Sequence, residues 1–238
     1  MTGVQTCALP ICISYGNTIK KESDIAAAFG LGVTMFAVDC EAEVEKVARA
    51  APGSRVVCRI RCDGTGAEWP LSRKFGCEPE FAADILEFAH RSGLLAYGIS
   101  FHVGSQQQNV QAWDAARASA AAVFRTCSER GIMLSMVNLG GGFPAKYLRK
   151  TPKLESYGRA IFRALRRHFG NRIPETIIEP GRGMVGNAGL IEAQVVLIAR
   201  RPPEAEVRWV YLDIGQFHGL AETIEESIRY PLRPRTHR

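Results

Sequence analysis

Residues able to do chemistry gather at three points of this 238-residue chain. The first is Ser100-Phe-His-Val-Gly-Ser-Gln106, where an imidazole and a hydroxyl stand three residues apart. The second is Asn138-Leu-Gly-Gly-Gly-Phe-Pro144. Glycine tolerates positive φ and lets a ligand approach the backbone closely, so the amides of Gly140, Gly141 and Gly142 can converge on one anion. The third is Glu179-Pro-Gly-Arg-Gly183, a carboxylate three residues before a guanidinium. Each stretch follows an apolar, strand-like run, and C-terminal strand ends are where parallel α/β proteins place their sites. His102 read alone is equally a satisfied core histidine; beside Gly104 and Ser105 it suits a flat ring bearing a phosphate. Glu179 is expected to be buried, and so to need a positive or protonated partner. Two arrangements are open. Arg182 is that partner in a structural ion pair, or Glu179 faces a protonated ring nitrogen while Arg182 forks onto a phosphate.

The elements that must carry these groups follow from hydrophobic periodicity. Strand-like runs cover 13–16, 33–38, 55–61, 94–103, 131–137 and 175–179. Helical patterns cover 20–29, 41–51, 80–92, 110–130 and 154–169. Residues 63–76 read as a loop, longer than most connections and so a candidate functional loop. Strand and helix alternate at roughly 20 to 40 residues per unit, the signature of a parallel sheet with covering helices. Polar strand ends recurring at several strands favour a (β/α)8 barrel over an open sheet. After Gly189 the rhythm changes to β-branched runs at 190–200 and 207–214, where a second, mostly β domain is expected to begin.

Composition narrows the classes. At 46% hydrophobic and 23% charged the chain is an ordinary globular sequence. Its net charge of +6 comes mostly from arginines spread along the chain, which gives no nucleic-acid footprint. No apolar run is long enough to span a membrane. Seven cysteines lack any paired CxxC spacing; Cys58 and Cys62, four apart, are expected on one strand face and match no metal-ligand set. Reduced thiols and a cytoplasmic location are the expectation.

In their order along the chain, the three stretches resemble the fold-type III pyridoxal-phosphate decarboxylases of basic amino acids, the ornithine, lysine, arginine and diaminopimelate group. Phe36-Ala-Val-Asp-Cys-Glu41 and Ala67-Glu-Trp-Pro-Leu-Ser-Arg-Lys-Phe-Gly76 extend the likeness, which runs over about 13–231. Trp69-Pro-Leu-Ser-Arg-Lys-Phe75 and Phe101 look most like the ornithine decarboxylase branch. The resemblance implies an alanine-racemase-like barrel over 13–189, with the last strand region and the start of a β domain over 190–238. It implies pyridoxal 5′-phosphate as cofactor. His102 would stack on its ring and Glu179 pair with the ring nitrogen; Ser105, Gly140, Gly141, Gly142, Gly181 and Arg182 would hold its phosphate. It implies release of CO2 from L-ornithine or L-lysine to give putrescine or cadaverine, in a homodimer acting on a small-molecule amino acid. An acidic residue after the last barrel strand would hold the substrate's distal ammonium. Glu222, Glu225 and Glu226 are expected to share one helix face there; Glu225 is the candidate among them, while a merely solvated acidic face is the more ordinary reading.

Family chemistry also needs a Schiff-base lysine on the first barrel strand. None of the seven lysines (20, 21, 46, 74, 146, 150 and 153) stands in such a place. Residues 1–12 look like translated sequencing-adapter sequence and are set apart from the fold. The expectation is therefore a piece shortened at both ends, poorly soluble because strand edges are open. Two rival readings remain: diaminopimelate decarboxylase, and a non-catalytic regulatory relative that keeps the barrel but not the lysine.

Overall fold

The computed structural model describes residues 13–70 and 74–235. The adapter-like string at 1–12 lies outside the described residues, as do 71–73 of the 69–75 stretch and 236–238 of the tail.

Five parallel strands form the frame: β1 (Met35–Val38), β2 (Arg55–Arg59), β4 (Leu95–Ser100), β6 (Met136–Asn138) and β7 (Glu175–Ile177). They lie side by side in that order. Helix α1 (Glu22–Gly30) precedes the sheet, and α2 (Glu41–Ala50), α3 (Pro79–Arg91), α4 (Ala112–Glu129) and α5 (Leu154–Phe169) cross between successive strands. Neighbours in space that are also neighbours in winding are how a β/α barrel is built, and the sheet is an arc of one.

Period-2 alternation sorts the strand residues. Phe36, Val38, Val56, Cys58, Ile99 and Val137 face the helices in the main core, while Met35, Val57 and Met136 make a smaller cluster on the concave face. Between β2 and β4 the register slips, Val56 pairing with Ala96 and Val57 with Gly98. The extra residue, Tyr97, turns onto the concave side, where its hydroxyl donates to Glu175 Oε2 at 2.6 Å. On the outside, α5 buries Tyr157, Ala160, Ile161, Ala164 and Leu165, one stripe at helical spacing. In α4 the small side chains of Ala116, Ala120 and Ala121 are buried, and with them Arg117, whose three guanidinium nitrogens have no hydrogen-bond partner among the described residues.

Several expected boundaries move. The 63–76 stretch is not all loop: β3 (Ala67–Trp69) pairs antiparallel with β5 (Ser105–Gln107), three residues against three, too short for alternation to register. The strand expected over 94–103 stops at Ser100, so His102 sits just past it. That over 131–137 is confined to Met136–Asn138, because residue 131 still belongs to the turn that ends α4. Since β2 ends at Arg59, Cys62 shares no strand face with Cys58; the Cys58 thiol meets Cys77 instead, Sγ to Sγ 3.6 Å.

Beyond β7 come the short helix α6 (Gly181–Val185) and an antiparallel pair, β8 (Val195–Arg200) with β9 (Arg208–Leu212). The side chains of Val196, Ile198, Trp209 and Val210 stand exposed on that pair. The acidic helix face expected for Glu222, Glu225 and Glu226 does not form. Residues Ala221–Glu226 make a 3-10 segment broken at Ile224, with Glu225 and Glu226 at positive φ. Glu222 pairs with Arg182 and Glu226 with Arg229 instead of lining one face together. Among the described residues no helix is long and apolar enough to cross a membrane.

Candidate functional site

The C-terminal ends of β2, β4, β6 and β7 bring Arg59, His102, Asn138 and Glu179 to one concave cleft, floored by Ala37, Val57 and Met136.

Three supports hold the glycine loop after β6. The Trp113 indole donates to Leu139 O at 3.1 Å, fixing its entry. Phe143 packs on Trp113, ring centroids 5.0 Å apart, and on Tyr157 at 6.0 Å, fixing its exit. Gln106, buried and at positive φ, pairs through its side-chain amide with both backbone groups of Ala145: Nε2 donates to Ala145 O at 3.1 Å and Oε1 accepts from Ala145 N at 2.6 Å. So held, the glycines must be glycines. At Gly140, φ is +65° and a Cβ would lie 1.9 Å from Phe101 O. At Gly141 a Cβ would lie 2.9 Å from Glu179 O and 3.1 Å from His102 Nε2. The loop backbone therefore lies directly against the imidazole.

The expected trio of amides becomes two. Gly140 N donates to Asn138 Oδ1 at 2.9 Å and is used internally. The amides of Gly141 and Gly142 donate to no described residue.

His102 Nδ1 accepts from Gly104 N at 3.0 Å, which fixes the tautomer with its proton on Nε2. Burial, with the nearby Arg59 charge adding to it and Glu179 opposing, holds the imidazole below the usual histidine range. The ring is held neutral, with its Nε2 and Cδ2 atoms next to the Gly141 backbone. Glu179, expected to be buried, is exposed because β7 is the sheet's last strand. It is still fixed: Oε1 accepts from Asn138 Nδ2 at 2.8 Å, and its amide donates to Gly140 O at 2.9 Å.

Arg182 settles the two open arrangements in a third way. It pairs with Glu222, Nη1 to Oε2 at 2.9 Å and Nη2 to Oε1 at 2.5 Å, rather than with Glu179. Its Nε donates to Ser105 Oγ at 3.2 Å, and Nη1 reaches the Tyr147 hydroxyl at 3.3 Å. The Tyr230 hydroxyl donates to Glu222 Oε2 at 2.7 Å. Beside that guanidinium the Glu222 carboxyl is held below its usual range, and Arg182 is raised in turn. Gly181 opens α6 and is exposed. Glu225 is exposed and hydrogen-bonds to none of the described site residues, so the acidic group that reaches this site is Glu222.

The sequence reading missed Arg59. It lies on the concave face of β2, its pKa lowered by burial and supported by Glu179 and Asp39, with its guanidinium 5.6 Å from the Phe75 ring centroid. The signal was present: an arginine at the end of an apolar strand, in register with Ser100.

Two unengaged amides, a hydroxyl and a guanidinium, around a loop too tight for any side chain, fit a phosphate monoester. A neutral imidazole and a carboxylate on the adjoining wall fit a flat ring with a basic nitrogen. No lysine lines the cleft among the described residues. Lys20 is buried against Glu43 at 2.9 Å, with Nζ also donating to Ala37 O at 2.7 Å.

The chain is 33% identical over 220 residues to the lysine/ornithine decarboxylase of Selenomonas ruminantium, covering 92% of this chain and 54% of that protein. It is 35% identical over 188 residues to antizyme inhibitor 2 of Xenopus laevis, covering 79% of this chain and 41% of that protein. The lysine/ornithine decarboxylase of Vibrio vulnificus complexed with putrescine superposes with a TM-score of 0.77 at 30% identity, over 92% of this chain and 56% of that one. The chain thus spans about half the length of the relatives it matches. The family model for the pyridoxal-binding domain of pyridoxal-dependent decarboxylases matches residues 2–186, and the chain belongs to that family, whose cofactor is pyridoxal phosphate.

Proposed function

We propose that the protein to which this chain belongs decarboxylates a basic L-amino acid, L-ornithine or L-lysine, to putrescine or cadaverine. The observation that carries this reading is the contact of Ser105 with Arg182 together with two unengaged glycine amides, of which Gly141 lies against both His102 and Glu179. Ser105, Arg182 and the Gly141 and Gly142 amides hold the cofactor phosphate. His102 offers its face to the ring, and Glu179, fixed by Asn138, keeps the ring nitrogen protonated. Bound pyridoxal phosphate supplies an electron sink for the bond to the carboxylate. Arg59 adds positive charge to the same wall, beside the apolar floor of Ala37, Val57 and Met136. Like the lysine/ornithine decarboxylases among its relatives, the protein works on small diamine precursors; a homodimer and a cytoplasmic setting accompany this reading.

A second reading has its own support. No lysine lines the cleft among the described residues, and antizyme inhibitor 2 is among the relatives. On that reading the barrel binds and regulates without catalysing.

One experiment separates them. The protein to which this chain belongs is incubated with pyridoxal phosphate, treated with borohydride and mapped by mass spectrometry, with diamine and CO2 release measured in parallel from L-ornithine, L-lysine and meso-diaminopimelate. A cofactor adduct on a lysine with diamine release supports the first reading. Reversible binding without adduct or turnover supports the second, and lysine formed from diaminopimelate would replace the substrate assignment.

A further inference from the structure

Cys58 and Cys77 belong to no part of the chemistry above, yet their sulfurs lie 3.6 Å apart. Neither element holding them is free to drift. Cys58 sits mid-sheet in β2, fully buried, between Val38 of β1 and Ile99 of β4. Cys77 is strapped alongside the end of β2 by two backbone hydrogen bonds, Cys77 N to Arg59 O at 3.0 Å and Arg61 N to Cys77 O at 2.8 Å. The Gly76 amide before it donates to Asp39 Oδ2 at 2.9 Å. A disulfide needs sulfurs about 2 Å apart, so closure asks for side-chain rotation and a small approach, not a rearranged backbone.

The two thiols are also unlike. Cys58 has no access to solvent, whereas Cys77 is partly exposed. The contact between the two sulfurs holds Cys77 below the usual thiol range and, with burial, pushes Cys58 above it. Asp39 and Glu78 face the pair and oppose ionisation of Cys77. Of the other described cysteines, Cys40, Cys62 and Cys127 make no such contact.

We propose that Cys58 and Cys77 are a dithiol oxidation site, closed to a disulfide by a small-molecule disulfide, which ties the rim turn at Phe75 and Gly76 to the strand that carries Arg59. The Cys77 thiolate attacks one sulfur of the oxidant and expels the other as a thiol. Cys58 then attacks the Cys77 sulfur of the mixed disulfide and expels the second thiol. Two protein S–H groups become one S–S bond, and the two electrons and two protons leave on the two small thiols. The turn so fixed packs Phe75 beneath Arg59, so the oxidised protein differs from the reduced one at the wall of the cleft.

The chain, native and unfolded in guanidinium, is incubated with graded ratios of oxidised to reduced glutathione, quenched in acid, alkylated and digested with trypsin. The expected result is that Val56–Arg59 linked to Phe75–Arg91 dominates the oxidised native chain. In the unfolded chain, pairings should spread over the seven cysteines. Cys58→Ser should stop at glutathione on Cys77, and Cys77→Ser should leave Cys58 unreacted. A linked peptide no more abundant in native than in unfolded chain overturns the proposal, as does native Cys77 that stops at the mixed disulfide or pairs with Cys62.

Discussion

Arg182 and Glu222 form a two-pronged ion pair, 2.9 and 2.5 Å, at the spot where the cleft offers an anion its strongest donor. A phosphate arriving at Ser105 meets a guanidinium already satisfied by a carboxylate, and meets that carboxylate's charge as well. Glu222→Gln keeps the shape and removes the charge. Its expected effect is tighter binding of pyridoxal phosphate, on the order of tenfold, read by fluorescence titration; Arg182→Ala should weaken binding by at least as much. Unchanged or weaker binding in Glu222→Gln would mean that Glu222 serves to hold Arg182 in place rather than to compete for it.

Gly141→Ala tests the cradle. The added methyl carbon would fall 2.9 Å from Glu179 O and 3.1 Å from His102 Nε2, and backbone cannot yield as a flexible side chain can. A cost of roughly 1–3 kcal/mol is expected from such crowding, with loss of phosphate affinity. Gly140→Ala is worse, at φ +65° and 1.9 Å from Phe101 O, and should fold poorly. Thermal midpoints of the two variants check the order.

His102 gives a pH dependence of defined sign. Its folded pKa lies below the ordinary histidine value because burial disfavours the cation. The unfolded chain therefore binds the proton first as pH falls, and stability declines below about pH 6.5, the loss being complete once pH is below the folded value. Protonation also breaks the Gly104 N to Nδ1 bond. The difference in unfolding free energy between wild type and His102→Gln, followed from pH 8 to pH 5, should narrow as pH falls. A constant difference would show that the imidazole is not held neutral.

Arg117 is an uncompensated core charge. Burial drives its pKa down to about 10, and Asp114, the nearest acid, is occupied by Arg167 and His168. Replacement of a buried charge by an apolar side chain of similar length often stabilises, by roughly 1–4 kcal/mol. Arg117→Leu should raise the denaturation midpoint at neutral pH, because it removes a buried charge that has no hydrogen-bond partner among the described residues. A lowered midpoint would reveal a partner for the guanidinium in solution.

Much of the architecture was legible because it rests on long periodic segments. The stripe of Tyr157, Ile161 and Leu165 marks α5 to the residue, and the glycine run announces a strand end. The convergence of His102, Glu179 and the glycine loop was legible for the same reason, since parallel strands put their polar ends on one rim. Short antiparallel pairing was not: β3 and β5 are three residues each and depend on contacts 36 to 40 positions apart. Nor was the partner of Arg182. Glu222 lies 40 residues away in a broken 3-10 turn, and no local pattern separates it from Glu225 or Glu226. Arg59 was overlooked because the strand was expected to run on to residue 61, whereas it ends at Arg59 with that side chain on the concave face.

The Gln106 side chain acts as a strand partner for Ala145, matching both of its backbone groups from a residue held at positive φ. With the far end of the glycine loop pinned in this way, its ordering entropy is surrendered when the chain folds rather than when a ligand arrives. Anion capture on this rim then has no loop closure to wait for. Its association kinetics should be a single phase, linear in ligand concentration, with a barrier set by the departure of Glu222 from Arg182 and not by any motion of the main chain.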